Sequence, residues 1–263
     1  MNKKIKKIIL KKNKSKIVSL TAYSKNVAKI LDKYCDIILV GDSMANVLYG
    51  HKHTHKITLE NIIQHTNSVR KGVKKSLLVV DMPKNSYSTP KKALKNAKKI
   101  MKNSHCDAVK IENYQKNFKI VELLVKKKIP VMGHIGYTPQ FKKKFKIEGQ
   151  SKKEVKILLE EAKLIEKAGA FSIVLECLNS HAAKLVTKNI KIPTIGIGSS
   201  SHCDGQILVT DDMLGLSGFY PKFVKKYVNL NRTIEKAVKK YTRDVKLNKF
   251  PSKKNFLNGP KFR

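Results

Sequence analysis

Four carboxylates stand at the ends of short apolar runs. Asp42, in Gly41-Asp42-Ser43, follows Ile37–Val40, and Asp81 follows Leu77–Val80. Glu112 closes a run that carries Lys110, and Glu176 follows Ser172–Leu175. Runs of continuous β-branched and apolar residues read as strands buried on both faces. If such strands close into a parallel barrel, residues just past their ends point into one shared bowl. Carboxylates gathered there lose hydration and repel each other, a cost of several kcal/mol per ion unless they are paired or hold a cation. Asp42, Asp81 and Glu112 offer hard oxygens and no thiol, which points to magnesium. Taken singly, each acid could instead cap a helix or pair with a surface lysine. Their placement at successive strand ends favours a site.

Glu176 differs from the other three. It emerges from a buried run, where desolvation raises a carboxyl pKa and suits it to act as a base. A fourth metal ligand or a partner for Lys110 are the other readings. His134 lies between glycines in Gly133-His134-Ile135-Gly136, which permits close approach of a ligand, although a lone histidine also serves as a structural hydrogen-bonder. Cys177 reads as core, facing away from Glu176 if the strand continues. His51, His53 and His55 would share one face of a strand and could bind zinc or copper; a solvated loop explains them more simply. Gly196 and Gly198 could cradle a phosphate or mark a tight corner.

The elements that must position these residues are legible as an alternation. Strands are expected at Ile17–Leu20, Ile37–Val40, Leu77–Val80, Ala108–Ile111, Pro130–Met132, Ser172–Leu175, Pro193–Ile197 and Gln206–Val209. Helical patterns lie between them. Thr89 can cap a helix that has Pro90 at its first position, and Ser151 with Glu154 forms a capping-box pattern ahead of another. Ile62, Ile63, Thr66, Val69 and Val73 mark a third. Eight strands with intervening helices predict an α/β fold of the (β/α)8 TIM-barrel type. The absence of GxGxxG after the first strand counts against a dinucleotide fold. The link between the seventh and eighth strands is too short for a regular unit. Arg232–Lys246 reads as a C-terminal helical extension, so residues 1–263 are expected to form one barrel domain with that appendage.

Composition bounds the rest. The 263 residues suit a barrel, which typically runs to about 250. The net charge of +37 suggests nucleic-acid or acidic-membrane binding at first sight. However, only Arg70, Arg232, Arg243 and Arg263 among the 56 basic residues are arginine. A nucleic-acid interface would use arginine for bidentate contacts. The spread of lysine, asparagine and isoleucine along the chain fits a biased genome better, so neither nucleic acid nor membrane is expected as a partner. No apolar run approaches the roughly 20 residues that span a bilayer. Met1–Lys16 is basic without an apolar leader core, and the four cysteines form no CxxC pair. Both features lead us to expect a cytoplasmic protein with free thiols.

Several segments, in order along nearly the whole chain, resemble the ketopantoate hydroxymethyltransferase family. They include Leu20–Tyr23 (LTAY), Asp36–Ser43 (DIILVGDS), Val80–Pro83 (VDMP) with Ser86-Tyr87, and Ala108–Glu112 (AVKIE). Further on come Pro130–Gln140 (PVMGHIGYTPQ), Ala168–Cys177 (AGAFSIVLEC), Ile192–Gly198 (IPTIGIG), Cys203–Val209 (CDGQILV), Asp212–Leu216 (DMLGL) and Pro221–Tyr227 (PKFVKKY). The resemblance implies a barrel of the phosphoenolpyruvate/pyruvate-type superfamily that assembles as a homo-oligomer, often a decamer. It implies one Mg2+ per subunit, with 5,10-methylenetetrahydrofolate donating a one-carbon unit to 3-methyl-2-oxobutanoate, giving 2-dehydropantoate on the route to pantothenate. It places Mg2+ at Asp42, Asp81 and Glu112, the keto acid against Asp42, Ser43, Asp81 and Lys110, and the proton acceptor at Glu176. His134 falls in the active-site surroundings. The chain departs from the family at Ala45, at Asn113-Tyr114, at His51–Thr54, at Ser199-Ser200, and in Lys143–Gln150, where Gln150 replaces an arginine. A related reading is another barrel that enolises 2-oxo acids, of the isocitrate lyase or phosphoenolpyruvate mutase kind. The lysine-cysteine-glycine loop of the lyase is missing.

Overall fold

The computed structural model describes residues 2–113, 117–142, 144–218 and 220–257; Tyr114 and Lys143 lie outside them. The strands are β1 (Ile17–Thr21), β2 (Ile37–Val40), β3 (Leu77–Asp81), β4 (Ala108–Glu112), β5 (Val131–Gly136), β6 (Ser172–Glu176), β7 (Thr194–Ile197) and β8 (Gly205–Leu208). All pair in parallel with their sequence neighbours, and β8 returns to β1, so the sheet is a closed barrel. The expected strands are all present, with β1, β3, β4 and β6 one residue longer and β5 four residues longer at the C-terminal end. Those extra residues include Asp81, Glu112, His134 and Glu176.

The helices are α1 (Lys3–Leu10), α2 (Lys25–Leu31), α3 (Met44–Val47), α4 (Leu59–Arg70), α5 (Pro90–Ser104) and α6 (Phe118–Lys126). They continue with α7 (Lys152–Lys167), α8 (Ser180–Asn189), α9 (Thr210–Met213) and α10 (Leu230–Lys246). Thr89 Oγ1 accepts the Lys92 N–H at 3.3 Å, and Pro90 opens α5 as its sequence predicts. Ser151 caps α7 by accepting the Glu154 N–H at 3.2 Å. The reciprocal half of the expected capping box is absent. The Glu154 carboxylate reaches instead to the Gly149 and Gln150 N–H groups, at 3.1 and 2.8 Å, and so ties down the preceding loop. No helix separates β7 from β8, in line with the short link between them.

Alternation along the strands sorts their side chains into two layers. Ile38, Val40, Leu78, Val80, Val109, Ile111, Ile135, Ile173 and Leu175 point outward, beneath the helices. Ile37, Leu39, Leu77, Val79, Ala108, Met132, Val174 and Ile195 point inward. Two residues further along the inward face come Asp81, Lys110, His134 and Glu176, and Glu112 follows Lys110 by two. The period of two therefore carries the polar set into the barrel mouth.

The opposite end is closed by α1, which the sequence shows only as a basic stretch. Ile5 and Ile8 of this helix are buried against the inward residues, worth about 1.5–3 kcal/mol each. Asp204, ahead of β8, clasps the floor. It accepts the Lys12 ammonium at 2.9 Å, the Asn13 N–H at 3.1 Å and the Thr194 N–H at 2.8 Å.

Candidate active site

The parallel register sets Asp81 of β3 beside Lys110 of β4. Their side chains form a buried ion pair, Nζ to Oδ1, at 2.6 Å. The other Asp81 oxygen accepts the Asp42 backbone N–H at 3.0 Å. Lys110 is thus committed to Asp81 rather than to Glu176. Asp42 Oδ2 accepts from the Gln140 side-chain amide at 2.8 Å, and Glu112 Oε2 accepts from the Gln140 backbone N–H at 3.0 Å. Ser43 lies half-buried at the rim, with its hydroxyl 2.8 Å from that of Tyr23.

Beyond this group, β5 and β6 bring His134 and Glu176 together. His134 is 1% exposed. Its Nε2 lies 3.2 Å from Glu176 Oε2, and its Nδ1 lies 3.7 Å from Glu112 Oε1. Neither nitrogen makes a well-directed hydrogen bond. Gly136 has φ +97°, and a Cβ there would collide with the Glu176 carbonyl oxygen, so glycine is required where the two strands part. Cys177 is buried, as read from the sequence, but for a different reason. The strand stops at Glu176, and Cys177 turns away through a left-handed φ of 54°.

The charges in this bowl do not balance. Burial pushes the Asp42 carboxyl up to about 7, with neighbouring Asp81 adding to the effect. Burial likewise raises Glu176 to about 8 and holds Glu112 well above the usual carboxylate range. Burial opposes the charge on Lys110, yet Asp81, Glu112 and Asp42 outweigh it and raise the ammonium above its ordinary value. His134 is driven well below its ordinary value by burial, with Lys110 adding to the effect, and is neutral at pH 7. One ammonium thus faces four carboxylates, and a hard divalent cation fits that donor set. Among the described residues no three acidic, histidine or cysteine side chains close into a ready cage. The arrangement suits an open site in which waters and substrate complete the coordination, as Mg2+ commonly requires.

The structure therefore brings Asp42, Asp81, Lys110, Glu112, His134 and Glu176 to one place, with Ser43 at its edge. Sequence reasoning missed Gln140 and Tyr87 as site residues. Gln140 follows a Thr-Pro turn, and nothing in its local pattern signals burial. The histidine run is a loop leading into a single 3-10 turn, not a strand. His53 stacks on His55, while His51 stacks on Tyr49, so the three do not converge. Gly198 takes φ +58° beneath the Phe223 ring, which fits the tight-corner reading of the GxG pair.

Residues 2–253 match the family model described as ketopantoate hydroxymethyltransferase. The chain belongs to the ketopantoate hydroxymethyltransferase family. It is accordingly an enzyme of the transferase class. A 3-methyl-2-oxobutanoate hydroxymethyltransferase of Pelagibacter ubique (strain HTCC1062) is 55% identical over 97% of this chain and 99% of its own length. One of Anaplasma marginale (strain St. Maries) is 46% identical over 96% of this chain and 93% of its own. Solved barrels align at lower identity. A phosphoenolpyruvate phosphomutase from Streptomyces platensis subsp. rosaceus superposes with TM-score 0.62 at 10% identity, covering 93% of this ketopantoate hydroxymethyltransferase family chain and 87% of the other. A phosphonopyruvate hydrolase in complex with oxalate and Mg++ superposes with TM-score 0.60 at 12% identity, covering 96% and 93%. At such identities the likeness concerns the fold alone.

Proposed function

We propose that this chain transfers a one-carbon unit from 5,10-methylenetetrahydrofolate to 3-methyl-2-oxobutanoate, giving 2-dehydropantoate and tetrahydrofolate. The observation that carries this reading is the buried excess of carboxylate around Lys110, on strand ends of a chain from this family. Asp42, Asp81 and Glu112 would hold one Mg2+. When bound, the cation would polarise the 2-oxo group and acidify the neighbouring C3–H. Asp42, Ser43, Asp81 and Lys110 face the keto acid, and the Lys110 ammonium attracts its carboxylate. Glu176 is the base. It stands apart from the Asp81–Lys110 pair, its side chain is 19% exposed toward the mouth, and it takes the proton from C3. The C3 carbon then bonds to the methylene carbon, both methylene–nitrogen bonds to the folate break with the two nitrogens taking up protons, and water supplies the hydroxyl. His134, neutral and wedged between Glu112 and Glu176, keeps those two carboxylates apart.

The finer expectations belong to the same reading. Self-association is supported by α10, where no residue is buried and Ile234, Val238, Tyr241 and Val245 expose one apolar face. Mass photometry of the purified chain tests it; a monomer at micromolar concentration would count against assembly. A cytoplasmic setting is supported by four free, buried cysteines. No helix among the described residues is long and apolar enough to cross a membrane.

The deciding assay supplies 3-methyl-2-oxobutanoate with either 5,10-methylenetetrahydrofolate or formaldehyde, with and without Mg2+. Product is expected only when the metal is present. No product with either donor would overturn the proposal.

A further inference from the structure

Gln140 is 1% exposed, and both its side chain and its main chain are engaged by the site. Its side-chain nitrogen donates to Asp42 Oδ2 at 2.8 Å and to the Met82 carbonyl at 3.0 Å. Its side-chain oxygen accepts the Tyr87 hydroxyl at 2.6 Å. Its backbone N–H donates to Glu112 Oε2 at 3.0 Å. The orientation of the amide is fixed by chemistry. Two acceptors, a carboxylate and a carbonyl, face one end, so that end must be the NH2 group. The Tyr87 hydroxyl donates to the other end and holds it there.

These bonds determine which oxygens remain for a ligand. Asp81 has one oxygen on Lys110 and the other on the Asp42 N–H, and each keeps a second lone pair for a cation. Asp42 and Glu112 each have one oxygen on Gln140, and Asp42 Oδ1 and Glu112 Oε1 accept no hydrogen bond among the described residues. A single residue on the β5–α7 loop thereby sets the orientation of two carboxylates, one in the turn after β2 and one at the end of β4.

We infer that Gln140 is a positioning residue of the cation site, its side chain aiming Asp42, its main chain aiming Glu112, and Tyr87 locking its amide. This rests on the metal reading proposed above. Partners of this kind, which orient a ligand without touching the metal, are typically worth about 10–100-fold in affinity. Glu112 keeps its main-chain bond whatever side chain stands at 140, so loss of the amide weakens the site without abolishing it.

The test is Mn2+ titration of the full chain without substrate, following free Mn2+ by electron paramagnetic resonance, alongside thermal melts. Gln140→Met keeps the length and loses the polar groups; it is expected to weaken Mn2+ binding about 10-fold or more. Tyr87→Phe is expected to weaken it by roughly 2–10-fold, the worth of one neutral hydrogen bond. Added to Gln140→Met, Tyr87→Phe should change Mn2+ affinity no further, because the lock has nothing left to hold. Excess Mg2+ should restore much of the kcat of Gln140→Met. A residue that merely filled space would lower the melting temperature, leave Mn2+ affinity alone and show no rescue. If Gln140→Met does not fold, Tyr87→Phe decides alone. Wild-type binding with unchanged affinity in the folded variants overturns the role of Gln140. No Mn2+ binding by the wild type overturns the metal reading and this inference together.

Discussion

The two ends of the barrel interior are built from the same strands and could hardly differ more. At the floor, Ile5 and Ile8 of α1 meet Ile17, Ile37, Leu77 and Ala108 in a hydrocarbon plug. At the mouth, two to four residues further along the same inward faces, stand Asp81, Lys110, Glu112, His134 and Glu176, all but Glu176 fully buried. The floor contributes stability by removing apolar surface from water. The mouth does the opposite, holding Glu112 and Glu176, whose burial raises their pKa values. A barrel can carry this strain at one end because the other end is so well packed.

The contrast breaks most sharply at Glu176. Glu176→Gln should slow isotope exchange at C3 of the keto acid by about 100- to 10,000-fold, the usual worth of a positioned base. Its melting temperature should be equal to or above that of the wild type, because a strained acid has been removed. Undiminished exchange would take Glu176 out of the base role. Lys110→Met should come next. It leaves Asp81 buried without its partner and is expected to cost about 3–5 kcal/mol in chemical denaturation, with activity lost as well. An unchanged denaturation midpoint would show that the pair is not sustaining the mouth. At the floor, Ile8→Ala should cost about 2–5 kcal/mol while kcat of the folded protein stays within about twofold, far below the base effect. A large fall in kcat would erase the division of labour between the two ends.

The pH dependence of stability probes the mouth alone. Asp42 and Glu176 have folded-state pKa values raised from 3.8 to about 7 and from 4.5 to about 8. A raised value means that the folded state holds the proton more tightly than the unfolded state. The stability this provides is complete below about pH 4 and drains away as pH rises through 7 and 8. The melting temperature of metal-free protein should therefore fall between pH 5 and pH 9, and Glu176→Gln should fall less. A melting temperature that rises over that interval would contradict the uncompensated bowl.

The same comparison explains what could be read in advance. The mouth was legible because each acid terminates an apolar run, as Asp81 ends Leu77–Val80, and a barrel converts that position into a location. The floor was not. Two isoleucines three apart in a short lysine-rich stretch gain meaning only once an open barrel end exists for them to cover. Gln140 was hidden for a related reason. A glutamine after a turn is ordinarily solvated, and only the closure of the β5–α7 loop over three strand ends buries it. Likewise, no pattern along the chain foretold that Lys110 would choose Asp81 over Glu176. That choice is made by strand register, with Asp81 directly opposite Lys110.

The Asp204 clasp joins Lys12 and Asn13 to a residue some 190 positions later. On a ribosome adding about 5–20 residues per second, roughly 10–40 s pass between the emergence of the two partners. Throughout that interval Ile5 and Ile8 have no floor to close, because β8 does not yet exist to complete the ring. The nascent chain thus carries two unburied isoleucines on a lysine-rich segment until the residues around Asp204 have been made.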